Sequence, residues 1–200
     1  MKVLPVVPLF HVNAWGLPYA APLTGTSLIF PGPNLDGTSL FNLMDHENVN
    51  SAWGVPTVWL GLLEEIRNQG KAPSQFQNVV IGGSAAPKSM IEEFEGLGIT
   101  VCHAWGMTEM SPVGTQGFLP QPMTKLLSSD EQILKKCNQG RRVFGVDLKI
   151  VDEKGNSLPH DGEASGELYV RGNAIISGYY KNEQSTEEAF DKAVSYTHLR

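Results

Sequence analysis

Residues 76–106, FQNVVIGGSAAPKSMIEEFEGLGITVCHAWG, place two short apolar runs on either side of an amphipathic segment. The first run, FQNVVIGG, predicts a strand that ends in a glycine turn, and GITVCHAWG predicts the next strand. Between them, Pro87 opens a predicted helix. The inner stripe of that helix is predicted to be Met90, Ile91, Phe94 and Leu97. A strand, a helix and a second strand in this order are typical of a parallel sheet that is covered by helices.

The residues before this unit continue the same alternation. TSLIFPG (26–32) predicts a short buried strand, residues 38–46 predict a helix, and NSAWGVP predicts another strand. Behind Pro56, apolar residues recur at helical spacing up to Gly70 and predict an amphipathic helix. These residues are Trp59, Leu62, Leu63 and Ile66. We therefore predict an α/β portion with a mainly parallel sheet over residues 1–139.

The pattern changes after residue 140. In GVDLKIVDEKGNSLP, Val146, Leu148 and Ile150 alternate with polar residues before a Lys-Gly-Asn turn, and GELYVRG alternates again. Such half-exposed strands indicate an antiparallel sheet. We predict a small β-rich subdomain over residues 140–192, and we expect residues 193–200 to be foreign sequence.

Composition and charge exclude several classes of protein. An apolar fraction of 41% is enough for a buried core, and 15 basic against 21 acidic residues argue against nucleic acid as the partner. Cys102 and Cys137 have no ligand spacing, so the expected compartment is a reducing cytoplasm. No run approaches the roughly 20 apolar residues of a membrane span. Peripheral association with a membrane stays open.

The end of the second strand carries WGMTE, residues 105–109. Gly106 allows close approach of a ligand, Thr108 can donate to a phosphate oxygen, and Glu109 offers one hard oxygen to Mg²⁺. Trp105 offers a flat face for a base. By composition alone, a core tryptophan, a capping threonine and a solvated glutamate are the simpler interpretation.

Two further stretches are candidates for a ligand site. GGSAAP (82–87) could lie against a flat ligand, although it lacks the phosphate-loop and dinucleotide fingerprints, and a tight turn would explain it equally. PLFHVNAWG (8–16) gathers aromatic residues around His11, and a lone histidine is more often structural than catalytic. The histidines have no zinc spacing, and no Gly-x-Ser-x-Gly elbow is present.

Taken in order, PLFHV, GGSAAP, WGMTE, GRRVFGVDLKIVD and GELYVRGNAIISGYYKN resemble the adenylate-forming enzymes. This family includes acyl-CoA synthetases, firefly luciferase and the adenylation domains of peptide synthetases. The resemblance covers about residues 3–192 and is closest to medium- and long-chain fatty-acyl-CoA synthetases. It implies that the chain is part of the large N-terminal domain of such an enzyme.

The resemblance also implies roles for individual residues. Trp105 would stack on adenine, Thr108 would contact phosphate, and Glu109 would hold the Mg²⁺ of ATP. His11 would face the substrate carboxylate, and Thr108, Glu109 and His11 would be the catalytic residues. The implied nucleotide-binding residues are Gly83, Ser84, Ala85, Ala86, His103, Ala104, Trp105, Gly106, Met107 and Thr108. The implied acyl pocket consists of His11, Val12, Trp15 and Gly83.

The expected activity is that of an ATP-dependent ligase that activates a carboxylic acid, such as a fatty acid, and transfers it to coenzyme A. Two alternatives stay open: an adenylation domain that loads a carrier protein, and a non-catalytic module that binds a nucleotide or an acyl group. The family's phosphate loop and C-terminal catalytic lysine have no counterpart in this sequence, so we expect the chain alone to be inactive. Neither the oligomeric state nor the length of the acid can be predicted.

Overall fold

The computed structural model describes residues 1–191 and 196–199 and divides the chain into two compact units. Unit 1 consists of Met1–Gly106 and Thr115–Arg141, and unit 2 consists of Met107–Gly114 and Arg142–Arg200. The predicted boundary near residue 140 is close to one of these junctions. The sequence analysis assigned Met107–Gly114 to the α/β portion, whereas the structure assigns these residues to unit 2.

The sheet of unit 1 is built from strands β1 (Lys2–Pro5), β2 (Ser27–Leu28), β3 (Ser51–Gly54), β4 (Asn78–Ile81) and β5 (Thr100–Gly106). Two further strands, β6 (Val113–Gln116) and β7 (Arg141–Arg142), each cross a junction between the units. The strand order is β2-β1-β3-β4-β5-β6-β7. The pairs β1/β2, β1/β3, β3/β4 and β4/β5 are parallel, which confirms the predicted mainly parallel sheet.

The helices of unit 1 are α1 (Val12–Trp15), α2 (Leu17–Thr24), α3 (Gly37–Glu47), α4 (Pro56–Gln69), α5 (Lys88–Gly96), α6 (Gln121–Leu126) and α7 (Ser129–Cys137). The predicted helices at 38–46, behind Pro56 and behind Pro87 are therefore confirmed. Among the described residues, no helix is long and apolar enough to cross a membrane.

The core of unit 1 lies between the sheet and its helices. Trp59, Leu62, Leu63 and Ile66 of α4 are buried there, as are Met90, Ile91 and Phe94 of α5. The prediction for Leu97 is wrong, because α5 ends at Gly96 and the Leu97 side chain is 41% exposed. The predicted strand at 26–32 is confirmed at Ser27–Leu28, but its predicted burial is wrong, because this strand lies at the edge of the sheet and Phe30 is 56% exposed.

Unit 2 is organised around the antiparallel strands β8 (Val146–Val151) and β9 (Glu167–Gly172). Leu148 pairs with Val170, and Ile150 pairs with Leu168, so the predicted apolar side chains of the two strands lie on the same face of the ladder. Helix α8 (Glu183–Ala189), β10 (Phe190–Asp191) and β11 (Tyr196–Leu199) follow. The four strands have the order β10-β11-β9-β8, which confirms the predicted small antiparallel sheet.

The predicted tail at 193–200 is only partly described. Thr197, His198 and Leu199 of β11 pair antiparallel with Val170, Tyr169 and Leu168 of β9. Residues 193–195 and 200 lie outside the described residues.

Candidate functional site

The turn after β4 lies against the segment that follows β1 and against the end of β5. A Cβ atom on Gly82 would lie 3.0 Å from Cη2 of Trp15 and 3.2 Å from the carbonyl oxygen of Ala104. A Cβ atom on Gly83 would lie 3.0 Å from Cγ1 of Val55. Gly83 also has a φ of +78°, which favours glycine. A side chain at Gly82 would therefore require the Trp15 indole or the end of β5 to move by a few tenths of an ångström.

The strand order explains why these segments meet. β1 lies between β2 and β3, so the chain winds outward from β1 in both directions. In open parallel sheets, ligands bind beyond the carboxyl ends of the strands at such a reversal. His11–Trp15 follow β1, Val55 follows β3, and Gly82–Gly83 follow β4. All of them are therefore near the position in unit 1 where a ligand is expected.

Trp15 is presented by an unusual backbone turn. Val12, Asn13, Ala14 and Trp15 of α1 have φ values of 46°, 49°, 46° and 55°, in the left-handed region. Residues with a Cβ atom pay about 1–2 kcal/mol each for this conformation. The turn is held by the buried side chain of Ala14 and by a hydrogen bond from its N–H to the His11 carbonyl. Such strain often occurs at ligand sites, where the surrounding structure maintains it.

His103 joins the glycine turn to α7. Its side chain is buried; its Nε2 accepts a hydrogen bond from the N–H of Ala86 at 3.3 Å, and its Nδ1 lies 3.1 Å from the carbonyl oxygen of Cys137. Because an N–H can only donate and a carbonyl can only accept, the imidazole must be neutral with its proton on Nδ1. The structure therefore gives the His103 side chain a positioning role toward Ala86.

Cysteine chemistry has no support in this region. Cys102 precedes His103 in β5 and is buried, and this burial raises the pKa of its thiol to about 11. A thiol in such surroundings is almost fully protonated at neutral pH and is a poor nucleophile. Next to Cys137, the buried Lys136 forms an ion pair with Glu95, whose Oε1 also accepts a hydrogen bond from the Val101 N–H at 2.6 Å. This pair connects α7 with α5 and β5.

The WGMTE stretch is divided between the units. Trp105 and Gly106 end β5 in unit 1, and the Trp105 side chain is half-buried. Met107 belongs to unit 2, where Thr108–Met110 form a 3₁₀ turn and the Met107 N–H donates to the Pro112 carbonyl at 2.8 Å. Thr108 is exposed and Glu109 is half-buried.

Within unit 2, Glu109 is held at two points. Its Oε1 accepts a hydrogen bond from the Tyr179 hydroxyl at 2.9 Å, and its carbonyl oxygen accepts one from the Ile176 N–H at 2.9 Å. This bond to Glu109 raises the pKa of the Tyr179 hydroxyl above its ordinary value, with partial burial as a second cause. The hydroxyl therefore remains a donor through the neutral range.

Glu109 suits Mg²⁺ better than it suits a metal held entirely by protein. Among the described residues, no three His, Cys, Asp or Glu side chains form a group that could hold a metal ion. Mg²⁺ commonly binds through one or two carboxylates and completes its shell with water and substrate phosphates. A single carboxylate with an oxygen left over fits that mode of binding.

The predicted site residues thus form two described groups. In unit 1, Trp15 and Ala104 lie against the glycine turn that contains Gly83, and the Ala86 N–H bonds to His103. The chain at Gly83, Ser84 and Ala85 is exposed. His11 is exposed and Val12 is half-buried in the same unit. In unit 2 are Met107, Thr108 and Glu109. A single site made from both groups stays a prediction.

Two contributors were missed by the sequence analysis: Val55 and Tyr179. Val55 could have been found, because NSAWGVP was predicted as a strand of the same sheet and parallel strand ends converge. Tyr179 gave no local signal, because it is 70 residues from Glu109 in the chain. GELYVRGNAIISGYYKN was expected to be scaffold, whereas its Tyr179 contacts the predicted metal ligand.

Comparison with known proteins gives a consistent result. The sequence profile described as AMP-binding enzyme matches residues 1–180. A 3-methylmercaptopropionyl-CoA ligase of Ruegeria lacuscaerulensis is 48% identical over 180 residues, which cover 90% of this chain and 33% of that protein. A medium-chain-fatty-acid–CoA ligase of Ectopseudomonas oleovorans is also 48% identical, over 182 residues, with 90% and 33% covered. The chain therefore spans about a third of the length of these curated relatives.

Among solved structures, the N-terminal domain of FACL13 from Mycobacterium tuberculosis has the same fold. The TM-score is 0.81 at 23% identity, and the alignment covers 99% of this chain and 46% of that one. Both units of this chain have counterparts in that domain, because the alignment covers 99% of the residues of this chain.

Proposed function

Because the chain belongs to the AMP-binding enzyme family, we propose that it carries the nucleotide- and acid-binding part of an ATP-dependent acyl-CoA ligase. The observation that best supports this proposal is the turn at Gly82–Gly83: Gly82 is buried between the Trp15 indole and the Ala104 end of β5, and Gly83 beside it is exposed. A flat base can approach such a side-chain-free backbone closely. The adjoining aromatic and aliphatic side chains of Trp15 and Val55 suit the apolar part of an acid.

The proposed reaction needs positioning and charge neutralisation more than it needs a protein nucleophile. A carboxylate oxygen of the acid attacks the α-phosphorus of ATP, forming the acyl-adenylate and releasing pyrophosphate. Both partners are anionic, so stabilisation of negative charge dominates the barrier. When bound, Mg²⁺ neutralises phosphate oxygens. Glu109 would hold this ion, Thr108 would donate to a phosphate oxygen, and His11 would face the carboxylate.

In the second half-reaction, the sulfur of coenzyme A attacks the acyl carbon and AMP leaves. The acid that we propose is a fatty acid or a related aliphatic acid. The two ligases at 48% identity are named for different acids, 3-methylmercaptopropionate and medium-chain fatty acids. Resemblance over this part of the chain therefore supports the class of acid rather than its length.

Calorimetric binding to the 200-residue chain tests the proposal. The ligands are a non-hydrolysable acyl-sulfamoyl adenosine and Mg²⁺–ATP. Base stacking on an aromatic side chain is worth about 1–3 kcal/mol, so Trp105→Ala should weaken the adenosine analogue at least about fivefold. Trp105→Phe, which keeps a stacking face, should lose much less. Glu109→Ala should weaken Mg²⁺–ATP while leaving the metal-free analogue nearly unchanged.

Glu153→Ala is the matched control for Glu109, because Glu153 is an exposed carboxylate of the same unit. Equal binding by the wild type, Trp105→Ala and Glu109→Ala would contradict the site assignment. Binding without turnover after joining to the rest of a ligase would favour a non-catalytic module. Acyl transfer to a carrier protein in preference to coenzyme A would favour an adenylation domain.

A further inference from the structure

Glu109 is fixed by a residue outside the predicted site. The Tyr179 hydroxyl donates to Oε1 of the carboxylate, and the Ile176 N–H donates to the Glu109 carbonyl oxygen, both at 2.9 Å. The side chain and the backbone of Glu109 are thus each anchored to the same short segment, 176–179. Among the described residues, Oε2 of Glu109 has no hydrogen-bond or ion-pair partner.

Tyr179 is itself fixed by the start of α8. Its N–H donates to the hydroxyl oxygen of Thr186 at 2.9 Å, and that hydroxyl donates to the Asn182 carbonyl at 2.8 Å. The neighbouring Gly178 packs so closely that a Cβ atom there would lie 2.9 Å from Cγ2 of Thr186. The Asn182 side chain also caps α8 by accepting from the Ser185 N–H at 3.1 Å. The tyrosine is therefore tied to an ordered helix end.

A carboxylate has two chemically equivalent oxygens, and a hydrogen bond to one of them removes that equivalence. Metal-binding carboxylates are commonly oriented in this way by a neighbouring donor, and loss of such a donor costs about 10–100-fold in metal affinity or activity. Mg²⁺ demands near-ideal octahedral geometry and tolerates misdirected ligands poorly. The distinction between Oε1 and Oε2 therefore matters for this ion.

We propose that Tyr179, held by Thr186, is a positioning residue that occupies Oε1 of Glu109 and so reserves Oε2 for the Mg²⁺ of the nucleotide. This inference rests on the proposed function. Its consequence is specific: removal of the tyrosine hydroxyl weakens the binding of the metal without weakening the binding of AMP.

The test is electron paramagnetic resonance titration of the 200-residue chain with Mn²⁺ at saturating ATP, beside calorimetry of AMP without metal. Tyr179→Phe deletes only the hydroxyl and should weaken Mn²⁺ about tenfold while leaving AMP binding within twofold. Tyr180→Phe makes the same change in a tyrosine that is 87% exposed, and it should alter neither measurement. Thermal unfolding of each variant separates misfolding from a local effect.

Thr186 provides the second pair of variants. Thr186→Val removes the acceptor for the Tyr179 N–H at nearly constant volume and should reproduce part of the Mn²⁺ loss. Thr186→Ser keeps the hydroxyl and should retain Mn²⁺ affinity.

Unchanged Mn²⁺ affinity in Tyr179→Phe, with wild-type binding intact, would overturn this inference alone. Equal losses of Mn²⁺ and AMP would also overturn it, because they indicate a general structural role. A wild-type chain that binds neither Mn²⁺–ATP nor AMP would overturn the proposed function and this inference with it.

Discussion

Unit 1 and unit 2 each hold part of the predicted site, but different forces hold them. In unit 1, apolar side chains from Leu4 to Val101 form one buried cluster beneath the helices. In unit 2, the β8–β9 ladder buries only Val146, Val151 and Val170, and most of its other side chains are half-exposed. The part of the predicted site in unit 1 therefore depends mainly on apolar packing, whereas the part in unit 2 depends mainly on hydrogen bonds and ion pairs.

The largest expected effect is in the core of unit 1. Phe94 of α5 is fully buried, with its ring at 86° to that of Phe76 and 6.3 Å between centroids. Phe94→Ala should lower the free energy of unfolding by about 3–5 kcal/mol, because it removes buried area and leaves a cavity. Urea denaturation measures this loss. Leu97→Ala is the control, because Leu97 is partly exposed, and it should lower the free energy of unfolding much less. Similar losses in the two variants would contradict the conclusion that burial in the core of unit 1 determines the effect.

The next effect should come from the contact between α3 and α4. A Cβ atom on Gly37 would lie 2.1 Å from the carbonyl oxygen of Gly61, so Gly37→Ala must push the two helices apart. We expect a loss of about 3 kcal/mol in the same denaturation experiment. Gly96→Ala in α5, where nothing lies within 4 Å of the new atom, should be nearly neutral. A neutral Gly37→Ala would show that the helices are not tightly packed here.

A smaller loss of stability is expected for His103, which is buried in unit 1 and forms two hydrogen bonds there. His103→Leu leaves the Ala86 N–H and the Cys137 carbonyl without their partner, which should cost about 1–3 kcal/mol. The Ala86 amide should exchange its hydrogen faster, and binding of the adenosine analogue should weaken. Nitrogen chemical shifts of wild-type His103 should report the Nδ1–H tautomer. An Nε2–H tautomer would contradict the bond to Ala86.

The smallest effect should be in unit 2, and it should depend on pH. Asp147 lies 2.7 Å from Arg142 and 3.0 Å from Arg171. The hydrogen bond from Arg171, followed by the charge of Arg142, lowers the pKa of Asp147 below its ordinary value of 3.8. This carboxylate therefore contributes stability that is present above pH 3.8 and lost as the pH falls through the lower folded pKa.

Asp147→Asn should remove that part of the pH dependence, measured as melting temperature between acidic and neutral pH. Because the pair is exposed, high salt should reduce the wild-type effect as well. Glu153, which forms no ion pair among the described residues, is the control, and Glu153→Gln should leave the profile unchanged. Identical profiles for the wild type and Asp147→Asn would show that the ion pairs of Asp147 do not contribute measurably to stability.

Helices with a clear apolar stripe could be predicted from the sequence. In α4, Trp59, Leu62, Leu63 and Ile66 recur at helical spacing, and Gly70 ends the helix as expected. Burial at the sheet edge could not be predicted, because TSLIFPG has the composition of a core strand and its exposure depends on which strands lie beside it. Leu97 fits the stripe of α5 in spacing but follows the end of the helix.

The site was less predictable than the fold. The left-handed turn of Val12–Trp15 runs against the local preference of valine, so only its tertiary surroundings can produce it. The Trp15–Gly82 contact and the Tyr179–Glu109 bond join residues that are far apart in the chain. The family resemblance indicated which residues belong together, whereas no local pattern indicated which side chain holds another in place.

The order of the core along the chain has a consequence for biosynthesis. Every member of the buried cluster of unit 1 has been translated once Val101 is added, before the first residue of unit 2. Domains generally fold as the N-terminal part of a nascent chain leaves the ribosome. The apolar collapse of unit 1 can therefore begin while the chain is still being made, because β6 and β7 are translated after every residue of the buried cluster.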